Sequence, residues 1–554
     1  MKKTFTLSTT AALVLLAVSG SAIAEQPVPF PVPAGSPVTA AEWFAAGKQT
    51  ILDSKRLVPN TKRAKNVILF IGDGMGVSTM TAARILEGQI AGKSGEENML
   101  SFEKLPYSAF SKTYSANQQT SDSAPTMTAM VTGIKTGDGE LSVAPVVARA
   151  EPSGAVVAAN KVPTILELAR TAGKAVGIVS TARLTHATPA ATYAHTSERN
   201  WEDDANLPAG ATVKDIAAQM IDNGDIQVAL GGGRIRYLPN TVLDPEYGPV
   251  TNLKGRRKDG RNLTTEWLAK SNSAYVWNKA DFDAINPATT DHLLGLFEPS
   301  HVHYEADRAN DQAGEPSITD MTTKSVEILK KNANGFFLMV EGGRIDHAHH
   351  GGNAYRALTD TIAMSNAVKA TIDQLTAAGL LEDTLIVVSA DHSHTFTIAG
   401  YPQRGNNILG LVSDPGAADY SKDGLGLYYT TLSYANGSGF TGTAYSSAAK
   451  TTVLQPQGAK TFNYALNGAG KYPQADTEGT PFFGAWDNNP ARPALTQTQV
   501  TNPNYMQEAL VPMGSETHAG EDVAIFARGP KAYLLHGSVE QNVIYHLMAE
   551  AFGF

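Results

Sequence analysis

The stretch EGGRIDHAHHGG, which begins at Glu341, concentrates side chains that can bind a metal ion. The chain has 13 histidines in 554 residues, and His347, His349 and His350 all fall within it. If a helix begins two residues before Asp346, then Asp346 and His350 share one face, His347 can also turn towards it, and His349 points away. Mixed imidazole and carboxylate ligands suit zinc. A polar turn or a histidine-rich tract without a ligand role is the alternative.

Two other stretches each carry one candidate. IGDGMG places Asp73 directly after an apolar run, but the third glycine of a dinucleotide fingerprint is absent because Val77 stands there. Asp73 is therefore either a metal ligand at a strand tip or a turn residue.

In TSDSAP, Ser123 precedes a helical pattern with Pro125 in its first turn, so it is either an N-cap or a nucleophile. Since no general base lies beside it, a nucleophilic Ser123 needs a metal for activation.

The segment 182–204 holds His186, Thr188, His195 and Arg199. A single histidine or threonine is most often structural. Arg199 is either a surface charge or a bidentate fork for phosphate.

The remaining candidates lie beside two apolar runs. Asp391 and His392 end TLIVVSADH, and His518 precedes DVAIFARG. A polar turn and an inert loop histidine are the alternatives. The candidates that fall near strand ends include four carboxylates and three histidines, namely Asp73, Glu341, Asp346, Asp391, His350, His392 and His518. Two metals ~4 Å apart can activate a nucleophile and stabilise a leaving oxygen in phosphoryl transfer.

The elements that must position these residues alternate along the chain. Apolar runs predict strands at 66–72, 175–181, 226–232, 335–343, 384–392 and 522–529. Helical patterns lie at 163–174, 213–224, 318–332 and 355–379. This alternation predicts an α/β fold with a mostly parallel central sheet flanked by helices. Ligands bind such sheets beyond the carboxyl ends of the strands, where the candidates lie.

Two regions depart from this alternation. Residues 240–300 are polar and look irregular, and 401–515 are rich in Gly, Ser, Thr, Asn and Tyr. Because the second is too long for a plain loop, we predict an inserted subdomain there. The α/β catalytic domain is then formed by 40–400 and 516–554. A helical pattern at 40–57 predicts an N-terminal helix that could pack on it.

The N-terminus predicts export. Lys2 and Lys3 precede an apolar core at 11–18, and a small-x-small site predicts signal-peptide cleavage after residue 24. The apolar core is short for an uncleaved anchor, which is the alternative. A Pro-rich extended arm follows at 25–39. The mature protein is expected to be periplasmic or secreted and to make no membrane contact.

The composition limits the possible partners and ligands. A net charge of −9 disfavours nucleic-acid binding by bulk charge. Because the chain has no cysteine, only histidines and carboxylates remain as metal ligands.

The motifs IGDGMG, TSDSA, HATP, VEGGRIDHAHH, SADHSH and ETHAGEDVAIFARGP occur in the order found in alkaline phosphatases. From about residue 64 onwards the chain resembles that family, and its motifs are closer to the animal enzymes than to the enteric bacterial type. The resemblance implies hydrolysis of phosphate monoesters through a phosphorylated Ser123, with Arg199 gripping the phosphate oxygens. It also implies a homodimer and a crown-like role for the insertion.

The resemblance further implies two zinc ions and one magnesium ion per chain. The implied ligands are Asp346, His350 and His518 for the first zinc, Asp73, Asp391 and His392 for the second, and Asp73, Thr188 and Glu341 for magnesium. His186 and His347, as in the animal enzymes, are implied to reach the magnesium shell and the phosphate through water. A calcium site, left open because Glu315 replaces an aspartate, would use Glu246, Phe297, Glu298 and Glu315.

Three other functions stay open at this point. A phosphodiesterase of the same superfamily usually carries threonine as its nucleophile. A sulfatase needs a modified Cys or Ser in a different motif, and this chain has no cysteine. A noncatalytic protein that binds metal or phosphate would not need a serine at a helix start facing two metals.

Overall fold

The computed structural model describes residues 26–222, 224–424, 426–440, 444–446, 451–453 and 494–554. The signal peptide predicted at 1–24 lies outside these residues, as does much of the insertion predicted at 401–515. Among the described residues, none of the helices has the length and apolar character that crossing a bilayer requires.

A ten-stranded sheet forms the centre of the described fold, in the order β17-β2-β16-β8-β1-β7-β3-β4-β6-β5. Its pairs are parallel except where β16 runs antiparallel to β2 and β8, which confirms a mostly parallel sheet. The strands of this sheet are β1 Asn66–Gly72, β2 Tyr107–Lys112, β3 Ala175–Arg183, β4 Val228–Gly232, β5 Ser273–Val276, β6 His292–Leu296, β7 Phe336–Gly342, β8 Thr384–Ala390, β16 Val523–Arg528 and β17 Ser538–Glu540. The shorter strands are β9 Ser393–His394, β10 Phe396–Ile398, β11 Leu432–Gly437, β12 Ala444–Ser446, β13 Thr451–Val453, β14 Ala509–Pro512 and β15 His518–Ala519.

Helices cover both faces of the sheet. They are α1 Ala40–Ser54, α2 Val77–Ile90, α3 Ser123–Thr132, α4 Gly154–Asn160, α5 Ile165–Thr171, α6 Ala187–Ala190, α7 Ile216–Asp222, α8 Arg234–Tyr237, α9 Gly248–Thr251, α10 Leu263–Trp267, α11 Lys279–Ala284, α12 Ile318–Leu329, α13 Arg344–His350, α14 Ala354–Ala377, α15 Gln497–Val500 and α16 Val543–Phe552. Alternate residues of β1 serve the two faces. Ile68 and Phe70 join the core that contains α2, α12 and α14, whereas Leu69 and Ile71 join the core that contains α3, α5 and α16. Burial on both faces explains why this strand is continuously apolar.

All six predicted strands form, with ends that differ by at most two residues from the predicted ones. The prediction of an irregular segment at 240–300 is wrong, because β5 and β6 lie within it and extend the sheet at one edge. Strands β2 and β17 at the other edge were also missed. These strands are short, and β2 buries only two of its six residues, so neither gives a continuous apolar run.

The predicted N-terminal helix forms as α1, but it does not pack as expected. None of its residues is buried among the described residues, and Trp43 and Phe44 are 54% and 76% exposed. A capping box at Thr39 and Glu42 fixes its start instead of tertiary contacts. Within the predicted insertion, β11 and β14 pair in one small sheet, and β10 joins it from outside the insertion.

Candidate active site

Four adjacent strands, in the order β8-β1-β7-β3, deliver most of the candidate residues. Asp73 directly follows β1, Asp391 follows β8, and Glu341 is the second-last residue of β7. Parallel pairing places these carboxyl ends side by side, as the sequence predicted. Gly74 has φ +68°, and a Cβ there would lie 2.3 Å from the ring of His394. Glycine at this position therefore permits the close approach of two elements of the site.

We name the three clusters that could hold a metal ion the first, second and third metal groups; the first consists of Asp346, His350 and His518. Asp346 and His350 lie four residues apart on α13, as predicted, and both Nε2 atoms of the histidines lie 3.3 Å from Asp346 Oδ1. Each histidine donates its Nδ1–H to a backbone carbonyl, His350 to Glu516 at 2.6 Å and His518 to Ser121 at 2.8 Å. These bonds leave the Nε2 lone pairs directed at Asp346, which is the tautomer that a metal ligand requires.

His394 adjoins the first metal group and was not predicted. Its Nε2 lies 2.8 Å from Asp346 Oδ1, and its Nδ1 lies 2.6 Å from Glu516 Oε2. Because both partners are carboxylates, both ring nitrogens donate, and the two carboxylates raise the pKa of His394 to about 10 against the effect of burial. An imidazolium has no lone pair for a metal, so His394 orients Asp346 instead of binding beside it.

The second metal group consists of Asp73, Asp391 and His392, which are all buried. His392 Nε2 lies 3.3 Å from Asp73 Oδ1 and 3.4 Å from Asp391 Oδ2. The hydroxyl of Ser123 points into this group, with Oγ 3.2 Å from His392 Nε2 and 3.4 Å from Asp73 Oδ1. The N-cap interpretation of Ser123 is wrong, because the N-cap of α3 is Asp122 and Ser123 is its first helical residue.

The third metal group consists of Asp73, Thr188 and Glu341, with His186 beside it. Ligand atoms of Asp73, His186 and Glu341 all lie within 4.8 Å of one another. One oxygen each of Asp73 and Glu341, and the hydroxyl of Thr188, are buried without a hydrogen-bond partner among the described residues. Ser180 donates a short hydrogen bond to the other oxygen of Glu341. Buried oxygens left in this way fit a cation that prefers oxygen ligands.

Arg199 joins the site through Asp122, which sequence reasoning missed. Arg199 Nη1 donates to Asp122 Oδ1 at 2.5 Å, and its Nη2 donates to His186 Nε2 at 2.8 Å. Burial would raise the pKa of Asp122, but the Arg199 charge holds it below its usual value, so the carboxylate stays ionised. The guanidinium is thereby held near the helix start that carries Ser123.

Of the other histidines near the site, some lie against it and others hydrogen-bond to other parts of the fold. Arg344 donates to His347 Nδ1 at 3.0 Å, and the His347 ring lies 4.1 Å from the ring of His301, which sequence reasoning did not identify. His349 turns away, as predicted, and bonds to side-chain oxygens on other elements. His195 bonds to a backbone carbonyl and to Glu167, as its structural interpretation expects.

Burial dominates the electrostatics of the second and third groups. It raises the pKa of Asp73 well above its usual value, together with the charges of Asp391 and Asp346. It raises the pKa of Asp391 to about 6 and that of Glu341 to about 7. Burial also lowers the pKa of His392, which keeps this imidazole neutral. A dense set of buried carboxylates with neutral imidazoles is suited to hold divalent cations.

The residues expected to bind calcium lie together, and two residues that were not predicted lie beside them. Glu298 is buried just beyond the end of β6, and its ligand atoms lie within 4.8 Å of those of Glu246 and Asp311 on one side. They lie equally close to those of His303 and Glu315 on the other. Asp311 and His303 were not predicted. The fourth expected calcium ligand, the Phe297 carbonyl, accepts a hydrogen bond from Arg234 Nη1 at 3.0 Å.

Comparison with known proteins identifies the family. The family model described as alkaline phosphatase matches residues 64–554. The alkaline phosphatase of Gadus morhua is 41% identical over 499 residues, which cover 89% of this chain and 92% of that protein. The tissue-nonspecific isozyme of Gallus gallus is 41% identical over 518 residues, covering 92% of this chain and 88% of that protein.

Solved structures show the same fold. Thermus thermophilus alkaline phosphatase superposes with a TM-score of 0.59 at 22% identity and covers 89% of this chain and 92% of its own. A mutant of the alkaline phosphatase from TAB5, solved with Mg bound, gives a TM-score of 0.56 at 19% identity and covers 89% of this chain and 99% of its own. The family match over residues 64–554 and the identity of about two-fifths to full-length relatives place this chain in the alkaline phosphatase family.

Proposed function

We propose that this phosphatase hydrolyses phosphate monoesters through a covalent phosphoserine on Ser123. The observation that carries the proposal is the position of the Ser123 hydroxyl, which is buried at the first turn of α3 and faces His392 and Asp73. The second and third metal groups meet at this hydroxyl. Metal ions bound there would activate Ser123, which has no general base beside it in the sequence. The amide end of α3 adds a field that favours the incoming phosphate.

Two zinc ions and one magnesium ion fit the donor sets of the three groups. The first and second groups combine carboxylates with imidazoles whose Nε2 atoms face carboxylate oxygens, as zinc requires. The third group offers the oxygens of Asp73, Thr188 and Glu341, which suit magnesium, and the TAB5 mutant is a relative with Mg bound. When bound, such dications lower the pKa of a coordinated hydroxyl and stabilise the charge on the leaving oxygen.

The protein's own groups then position the reaction. Ser123 Oγ attacks phosphorus in line with the departing alcohol, so that a serine–phosphate bond forms as the ester bond breaks. Arg199, held by Asp122, donates N–H groups to the nonbridging oxygens. His186 and His347 lie beside these groups, where they would contact the shell of a bound magnesium ion and the phosphate through water. Water finally cleaves the serine–phosphate bond, which releases inorganic phosphate and restores Ser123.

The test compares Ser123→Ala with Ser121→Ala in the full mature chain. Ser121 lies two residues earlier, and its hydroxyl donates a hydrogen bond only to the backbone carbonyl of Asp122 among the described residues. We expect Ser123→Ala to lower p-nitrophenyl phosphate turnover by more than about 10⁴-fold, and Ser121→Ala to remain near wild type. Turnover of bis-p-nitrophenyl phosphate should stay far lower throughout. Wild-type-like turnover by Ser123→Ala would refute the mechanism, and a preference for the diester would favour a phosphodiesterase.

We also propose that the chain is exported and dimeric, with the α/β catalytic domain and the insertion divided as the sequence predicts. The exposed Trp43 and Phe44 on α1 support a homodimer, because large apolar side chains at this exposure are typical of a contact surface. The basic start, apolar core and cleavage site within residues 1–24 support export to the periplasm or medium.

A further inference from the structure

An open cleft of about 570 Å³ lies beside the first metal group. His350 and His518 form part of its wall, and so does Asp122, which directly precedes Ser123 in the chain. In a site built for two metals, one side stabilises the attacking oxygen and the other stabilises the leaving oxygen. Because Ser123 faces the second metal group, the leaving oxygen belongs on the side of the first. The cleft is therefore positioned to receive the alcohol part of a substrate.

The wall of this cleft carries groups that can hydrogen-bond to an alcohol. Gln118 and Thr120 come from the loop between β2 and α3. Ser515 and Thr517 come from the segment before β15. Two hydrogen bonds hold the Gln118 backbone, since its N–H donates to Ser115 Oγ at 3.1 Å and its carbonyl accepts from the Ser115 N–H at 3.1 Å. Gln118 Oε1 lacks a hydrogen-bond partner among the described residues. Amide and hydroxyl groups of this kind suit the hydroxyl groups of a neutral alcohol.

The same wall offers no Lys or Arg for an anion. Among the described residues that line it, the charged side chains apart from the two histidines are Asp122 and Glu516. Glu516 is buried and bonds to His394 at 2.6 Å and to Thr395 at 2.7 Å, so its charge is compensated. Asp122 is 26% exposed and pairs with Arg199, whose guanidinium the proposed mechanism directs to the phosphate. An alcohol with its own negative charge would therefore meet a carboxylate, with no cationic side chain on this wall to hold it.

We propose that this cleft is the leaving-group subsite and that it selects monoesters of neutral, hydroxylated alcohols over monoesters whose alcohol carries a negative charge. The proposal rests on the phosphomonoesterase function proposed above and names its substrate class. Gln118 and Thr120 are the specificity-determining residues, because they line the cleft and have no part in binding metal or phosphate. Discrimination of this kind depends on the groups that a competing substrate would meet as well as on those that the preferred one contacts.

A matched pair of substrates tests the charge preference. Glycerol 3-phosphate and 3-phosphoglycerate differ only where a carboxylate replaces a hydroxymethyl group, so their alcohols have similar size and different charge. The ratio of kcat/KM for glycerol 3-phosphate to that for 3-phosphoglycerate is measured in wild type, Thr120→Lys and Thr265→Lys. Thr265 is the matched control, because it is exposed on α10, which packs on the edge strand β5.

We expect the wild-type ratio to lie above one and Thr265→Lys to leave it unchanged. Thr120→Lys should lower it by about three- to tenfold, since an added positive charge within about 5–10 Å attracts the carboxylate in a partly solvated site. Calorimetry with Ser123→Ala measures binding without turnover, and glycerol 3-phosphate should have the lower Kd. If Thr120→Lys fails to fold, Gln118→Lys takes its place with the same expectation.

A wild-type ratio at or below one would overturn the subsite. So would a ratio that the lysine in the cleft leaves unchanged, or tighter binding of 3-phosphoglycerate by Ser123→Ala. These results are distinct from a failure of the proposed function, which would appear as p-nitrophenyl phosphate turnover that survives Ser123→Ala.

Discussion

His394 is the residue whose loss tests the construction of the first metal group most sharply. Its two ring nitrogens donate buried hydrogen bonds to Asp346 and to Glu516, so it holds Asp346 in the orientation that faces His350 and His518. His394→Gln removes the charged donor and keeps a polar side chain of similar size. We expect zinc to bind more weakly and the protein to remain folded.

The magnitude follows from the bond that is lost. A hydrogen bond to a charged group contributes about 1.5–3 kcal/mol, which corresponds to about a 10- to 150-fold loss of zinc affinity. Comparable effects, about 10- to 100-fold, are typical of residues that orient metal ligands. Saturating zinc should therefore restore most of the activity, because all ligands remain.

The assay is a zinc titration against a chromophoric chelator, followed by kcat/KM for p-nitrophenyl phosphate at saturating zinc. His349→Gln is the matched control, since His349 stacks on His394 with ring centroids 4.8 Å apart but bonds to hydroxyl groups. Equal losses of zinc affinity in the two variants would refute the orienting role. A loss in His394→Gln that saturating zinc does not restore would instead make His394 a ligand.

Three further predictions follow from the described contacts. Arg199→Ala should lower kcat/KM by about 10²- to 10⁴-fold, because two charge-assisted hydrogen bonds to phosphate are lost. Arg199→Lys should lower kcat/KM by less, and steady-state kinetics measures kcat/KM for both variants. Magnesium affinity should fall as the pH drops below about 7, because burial raises the pKa of Glu341 to about 7 and that of Asp73 well above its usual value, and the ion competes with those protons. Calorimetry at pH 6, 7 and 8 checks this. The double variant Trp43→Ser, Phe44→Ser should shift the chain towards monomers in analytical ultracentrifugation without loss of folded structure, since α1 contributes no buried residue to the single chain.

The local sequence pattern was sufficient to predict the central strands and to pair site residues that lie on the same helix. β1 was predicted to the residue because both of its faces are buried, which leaves a continuous apolar run. Asp346 and His350 were paired correctly because a helix fixes the geometry of residues four apart. β5 was missed because it lies at the sheet edge, where three of its four residues are only partly buried.

The orienting residues could not be found in the same way, because their roles depend on contacts between distant elements. Glu516 reaches His394 from 122 residues away, and Asp122 meets Arg199 across 77 residues. Neither contact leaves a periodic signal in the chain. Such positioning roles are therefore decided by the folded neighbourhood and cannot be read from a single motif.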